Sequence, residues 1–226
     1  MSEPGHRFRL IVFDVDGTLV DSQHMIFSAM TAAFAEQGLA PPEPASVRRQ
    51  VGLGIEETMA RLLPDRDPAL HQRLAGSFRQ AAFASRQTPG YAEPLYPGIR
   101  ELLAALAHPA VFLGIATGKA RRGLDYTLAA HGIADLFHTL QTADRNPSKP
   151  DPAMLLNAMA DVGVAANETA FVGDTSFDVN MALSARVSAI GVGWGYHATE
   201  DLRAAGAQRI IGHPDDLPAA LSSIGG

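Results

Sequence analysis

The sequence predicts an α/β protein: a doubly wound, mostly parallel sheet flanked by helices, with an α-helical domain inserted after the first strand. Two observations carry that prediction. Short apolar runs rich in Val, Ile and Phe alternate with segments of helical spacing, the pattern of strand–helix units whose strands are buried on both faces. One long interval, from about Ser22 to Tyr96, interrupts the alternation and contains no strand-like run.

The strand-like runs, in order, are RLIVFDV, VFLGIATG, TAFVGDT, VSAIGVG and RIIG. Helical spacing is found in PGIRELLAALA, KARRGLDYTLAAHG, DPAMLLNAMADVG and SFDVNMALSA, each opened or closed by Gly, Pro or Asp. Within the long interval the candidate helices are MIFSAMTAAFAEQG, SVRRQVGLGIEETMARLL and ALHQRLAGSFRQAAFASR. Proline-rich breaks, PPEP, PDRDP and TPGYAEPLYPG, separate or follow them. The chain therefore divides into an α/β domain of residues 1–21 and 97–226 and a helical domain of residues 22–96 on two linkers. The last six residues read as a frayed end.

Composition narrows the function. The 226 residues are 46% hydrophobic and 19% charged, as in ordinary globular proteins. A net charge of −6 argues against a nucleic-acid partner, though not against a nucleotide substrate. With no cysteine, thiolate nucleophiles, disulfides and thiolate zinc sites are excluded. The eight histidines form no HxH or HExxH arrangement. Near the N-terminus the apolar run is four residues long, short of the about 7–15 of a secretory signal, and no run approaches the ~20 of a membrane span. A cytoplasmic location and no membrane partner are expected.

In open α/β sheets, ligands sit beyond the carboxyl ends of the strands, so polar residues that follow apolar runs are the candidates. There are four clusters: Asp14, Asp16 and Thr18; Thr117, Gly118 and Lys119; Ser148, Lys149 and Asp151; and Gly173, Asp174, Thr175 and Asp178. Each has a structural alternative. Asp16-Gly17 is also a hairpin-turn signal, Thr117-Gly118 a strand-ending turn, Asp151-Pro152 a helix start, and Asp174 or Thr175 a helix cap. Together, however, they contain what phosphoryl transfer needs: carboxylates for a divalent cation, a carboxylate nucleophile, a proton donor, and neutral and cationic donors for phosphoryl oxygens. Magnesium suits such oxygen ligands. Asp14 and Asp16, two apart, project to one side if the strand geometry persists.

These motifs, DVDGTLVDS at 14–22, ATGK at 116–119, SKPDP at 148–152 and GDTSFDVNMA at 173–182, resemble in kind and order those of the haloacid dehalogenase superfamily. The similarity is to its phosphatase branch with a helical cap, most closely the phosphoglycolate phosphatases, and it covers nearly the whole chain. The resemblance implies that Asp14 is the nucleophile and forms an aspartyl-phosphate, and that Asp16 protonates the leaving oxygen and then activates water. It implies that Thr117 and the Gly118 amide hold a phosphoryl oxygen and that Lys149 neutralises charge between Asp14 and phosphate. Magnesium is implied at Asp14, the Asp16 carbonyl and Asp174, with Asp178 in support. Asp16 favours phosphatase over dehalogenase, since an alkoxide leaving group needs a proton and a halide does not. Two positions depart from the family pattern: Gly118, where Asn or Ser is frequent, and Ala185-Arg186, where Ala-Gly is usual.

In the cap, VGLG is the stretch expected to approach the ester, with Gly52 and Gly54 as substrate-binding positions; the same glycines also suit a helix–helix turn. Arg48 and Arg49 suit a substrate carboxylate or, with more weight, a solvated helix face. Trp194–His197 receives no role. The expected partner is a small phosphorylated metabolite, with 2-phosphoglycolate leading, and the expected state a monomer or homodimer. Sugar-phosphate or nucleotide phosphatases, pyrophosphatases and phosphomutases remain rivals, as does a catalytically silent phosphate-binding protein.

Overall fold

A computed structural model describes residues 6–88 and 90–224. Strand β1, Leu10–Phe13, is entirely buried and lies in the middle of the sheet. Four helices of the insert follow: α1 Gln23–Glu36, α2 Pro44–Arg48, α3 Ile55–Leu62 and α4 Pro68–Arg86. The chain then returns through α5 Ile99–Leu106, β2 Phe112–Thr117, α6 Arg121–His131, β3 Thr139–Thr142, α7 Ala153–Val162 and β4 Thr169–Gly173. It ends with α8 Ser176–Ser184, β5 Ser188–Val192, α9 Thr199–Ala205, β6 Arg209–Ile211 and α10 Leu217–Ile224. All pairings are parallel, in the order β3-β2-β1-β4-β5-β6.

The two faces of the sheet follow from the period-2 alternation of a strand. Ile11 and Phe13 join a core with Leu103 of α5, Leu124 of α6 and Leu221 of α10. Leu10 and Val12 join another with Met154 of α7, Val179 of α8 and Leu202 of α9. The sheet is thus doubly wound, as expected. A third cluster belongs to the insert alone: Met30 and Phe34 of α1 pack with Val47, Met59 and Leu74 from α2, α3 and α4.

Three local expectations change. Strand β3 was missed because TLQT is a polar edge strand with only its end residues buried. SVRRQVGLGIEETMARLL is two helices, since Gly52 takes φ +101° between them. The supposed frayed end is largely helix α10, anchored by the buried Leu217 and Leu221, while residues 225–226 lie outside the described residues. Among the described residues, no helix is long and apolar enough to cross a membrane.

Candidate active site

The carboxyl ends of β1, β2 and β4 stand side by side, because these strands are neighbours in the sheet. They deliver Asp14, Thr117 and Asp174 to one place. Asp14 still belongs to the ladder, its N–H donating to the Val172 carbonyl at 2.9 Å. Immediately afterwards the chain folds into a tight loop in which the Thr18 and Leu19 N–H groups donate to the Val15 carbonyl. Gly17 makes this loop possible with φ +89°, and a Cβ there would fall 2.3 Å from Asp174 Oδ2. The chain does turn at Asp16-Gly17, but not as a β-hairpin, since both strands beside β1 run parallel to it; the turn is part of the site.

Asp14, Asp174, Asp178 and Lys149 are all at most 1% exposed. Lys149 Nζ lies 3.0 Å from Asp14 Oδ1 and 2.6 Å from Asp178 Oδ1. The other Asp178 oxygen accepts from the Thr175 N–H and hydroxyl, so Asp178 and Thr175 form a capping box at the start of α8. Asp174 is held at both oxygens, by the Thr18 hydroxyl at 2.7 Å and the Tyr196 N–H at 2.9 Å. Asp14 differs from its neighbours. Neither of its oxygens accepts a hydrogen bond; Lys149 is its ion-pair partner.

Burial raises the Asp14 carboxyl to about 7, against the pull of Lys149. Burial also lifts Asp174 well above the ordinary range, with Asp178 and Asp14 adding repulsion. For Lys149, burial works toward neutrality, yet the Asp14 and Asp178 charges win and hold it above an ordinary lysine. Three carboxylates against one ammonium leave an excess of negative charge. Oxygens of Asp14, Asp174 and Asp178 all lie within 4.8 Å of one another, a hard-oxygen set that fits a magnesium ion.

Asp16 stands apart from this cluster. Its Oδ1 is 3.0 Å from Lys119 Nζ, which also lies 3.4 Å from both oxygens of Glu93. Glu93, on the return linker from the insert, further accepts from the Thr127 hydroxyl at 2.8 Å and from the Tyr91 hydroxyl. Burial alone would raise Glu93, but Lys119 and these donors hold it below the usual carboxylate range. Lys119 was a candidate from its place in ATGK, whereas Glu93, and its pairing with Lys119, carried no motif signal.

Asp14, Asp16, Thr117, Gly118 and Gly52 line one cavity between sheet and insert, of about 250 Å³. Gly54 does not line it; its N–H donates to Ser148 Oγ at 2.9 Å. A Cβ on Gly118 would meet the Gly52 and Leu53 carbonyl oxygens at 2.6 and 2.5 Å, which explains why glycine stands where Asn or Ser is frequent. The second departure is accommodated differently. Arg186 itself adopts φ +58°, so the turn survives with a side chain in the left-handed region.

The WGYH segment, given no role from sequence, braces the site. Besides the Tyr196 N–H on Asp174, Trp194 Nε1 donates to the Thr18 carbonyl at 3.1 Å, and the Tyr196 hydroxyl lies 3.1 Å from Ser22 Oγ. Arg48 is exposed, as a solvated face predicts, yet its guanidinium also donates to the Gly195 and Tyr196 carbonyls. Arg49 instead offers its carbonyl to the His197 ring.

Comparison with known proteins agrees with this architecture. The chain is 36% identical over 219 residues to the protein named probable phosphatase IndB of Dickeya dadantii, covering 95% of this chain and 94% of that one. It is 33% identical over 225 residues to a phosphoglycolate phosphatase of Pseudomonas putida, covering 96% and 80% respectively. A hydrolase from Pseudomonas syringae superposes with a TM-score of 0.84 at 25% identity, over 97% of this chain and all of that one. The profile of the haloacid dehalogenase-like hydrolases matches residues 11–192, from β1 to the end of β5, and with that extent of agreement this protein belongs to that family.

Proposed function

We propose that the protein is a magnesium-dependent phosphomonoesterase working through an aspartyl-phosphate on Asp14. The observation that carries this reading is Asp14 itself: a fully buried carboxylate on the cavity lining whose one partner is the Lys149 ammonium at Oδ1, which leaves Oδ2 without a donor. Buried carboxylates without hydrogen bonds are costly and call for a role. Relatives named as phosphatases agree with it.

In the proposed reaction, an Asp14 oxygen bonds to phosphorus as the ester oxygen departs, and Asp16 supplies the proton that the leaving oxygen needs. Water then attacks phosphorus, Asp16 takes its proton, and the bond to Asp14 breaks, releasing phosphate and restoring both aspartates. Thr117 and the Gly118 N–H hold a phosphoryl oxygen, and Lys149 balances the charge gathered between Asp14 and phosphate. Asp14, Asp174 and the Asp16 carbonyl would hold magnesium, with Asp178 fixing Lys149 and Thr175 behind them; the ion supplies positive charge opposite the phosphoryl oxygens.

Residues 22–96 act, in this reading, as a cap that closes over the ester and excludes water. The names of relatives put 2-phosphoglycolate first in a substrate panel, beside sugar phosphates, nucleotides and pyrophosphate. Hydrolysis of phenyl phosphate should require magnesium, stop in chelator and vanish in Asp14→Asn. Turnover surviving either treatment rejects the mechanism.

A further inference from the structure

The wall of the cavity opposite the phosphate site is apolar, formed by Met25, Ile26, Met30, Val47 and Phe78. Two polar atoms interrupt it. Gln50 and Arg86 both line the cavity, and their Oε1 and Nε atoms are buried with no hydrogen-bond partner. The Arg86 side chain is only 9% exposed. Its nearest acid, Glu93, is 3.8 Å away, beyond hydrogen-bonding range, and already serves Lys119, Thr127 and Tyr91. A buried acceptor and a buried charged donor left unmade beside the same cavity match a ligand that carries the complementary pair.

Size narrows that ligand further. Lys119 faces Asp16 and Glu93, and Arg86 shares Glu93. Glycolate, with two carbons and a carboxylate, would leave most of the roughly 250 Å³ unfilled.

Building on the phosphatase reading, we propose that the leaving group is an alcohol larger than glycolate. Its apolar body lies on Met30, Val47 and Phe78, a donor reaches Gln50 Oε1, and an acceptor reaches Arg86 Nε. Gln50 and Arg86 are then the residues that determine specificity. An amide-type group supplies both donor and acceptor within one small unit.

The test compares kcat/KM for phenyl phosphate, 2-phosphoglycolate, N-acetylglucosamine 6-phosphate and uridine 5′-monophosphate in the wild type, Gln50→Leu and Arg86→Met. At least one of the two amide-bearing esters should exceed 2-phosphoglycolate by about 10-fold or more. Each variant should lower the ratio of that ester to phenyl phosphate by about 10-fold, mainly through KM. The ratio is internal to each preparation, so a partly folded variant cannot imitate the effect. If 2-phosphoglycolate ranks first, or the ratio stays unmoved in both variants, the assignment is overturned. Absence of magnesium-dependent phenyl phosphate hydrolysis in the wild type overturns the phosphatase reading instead.

Discussion

The floor of the cavity and its roof are made by different means. Behind the floor that Asp14, Asp16 and Thr117 line, Asp174, Asp178 and Lys149 are buried and tied to fixed donors and acceptors. On the roof, the helical insert packs around its own Met30, Phe34 and Met59 and meets the floor partly through backbone, at Gly52, Leu53 and Gly54. A networked floor keeps charges in place during bond making and breaking. The roof is tied by peripheral contacts besides that backbone seam, Arg48 donating to the Gly195 and Tyr196 carbonyls and the His197 ring meeting the Arg49 carbonyl; in the proposed reading of the insert as a cap, these are the contacts that closure makes and opening breaks.

That contrast can be broken by substitution. Thr117→Val removes the hydroxyl of a cavity-lining residue, one that also accepts from the Lys119 N–H, and should lower kcat by ~10²–10³ with little change in KM, as loss of a transition-state donor does; a change confined to KM would move Thr117 out of the chemistry. Gly118→Ala tests the seam. The added carbon meets two carbonyl oxygens of the roof loop, so closure should weaken and kcat/KM fall by about 10-fold while the melting temperature stays close to wild type. An unaltered kcat/KM would show that this close approach is not required for turnover.

The linker between roof and floor gives a smaller effect that depends on pH. Glu93 is held below its ordinary 4.5, so its contribution to stability is present above that value and is lost as pH falls through the lower folded value. Glu93→Gln should therefore be less stable than wild type at neutral pH, by ~1–3 kcal/mol, with the gap closing in acid below pH 4.5. A gap constant with pH in thermal melts would mean that charge is not what Glu93 contributes. The smallest effect belongs to the α8–β5 turn. Arg186→Gly relieves a left-handed backbone and should stabilise by up to about 1 kcal/mol, without altering kcat.

Much of this was legible because it is local. Strands β1, β2, β4, β5 and β6 were visible as apolar runs, and the helical insert as a long stretch of helical spacing among prolines. Asp14, Asp16, Thr117, Lys149 and Asp174 were marked by their position just past those runs or before a helix. Strand β3 escaped because an edge strand with partly exposed residues has no strong apolar signature. Lys119 and Glu93 escaped as a pair because 26 residues separate them, and no spacing rule connects a linker acid to a lysine after another strand. Gln50, Arg86 and Tyr196 escaped for the same reason, each looking like an ordinary polar or aromatic residue in its own segment.

By itself, then, the sequence determined the α/β class, the inserted helices, and the set of polar groups delivered to the strand ends. Period-2 and helical spacing are set by neighbouring residues and survive without knowledge of contacts. Only the tertiary structure decided which oxygen of Asp14 faces Lys149, why glycine stands at 118, which acid holds Lys119, and which polar atoms of the cavity-lining insert residues are left without partners. Those depend on distances between segments far apart in the chain, and burial gives such distances their energetic weight.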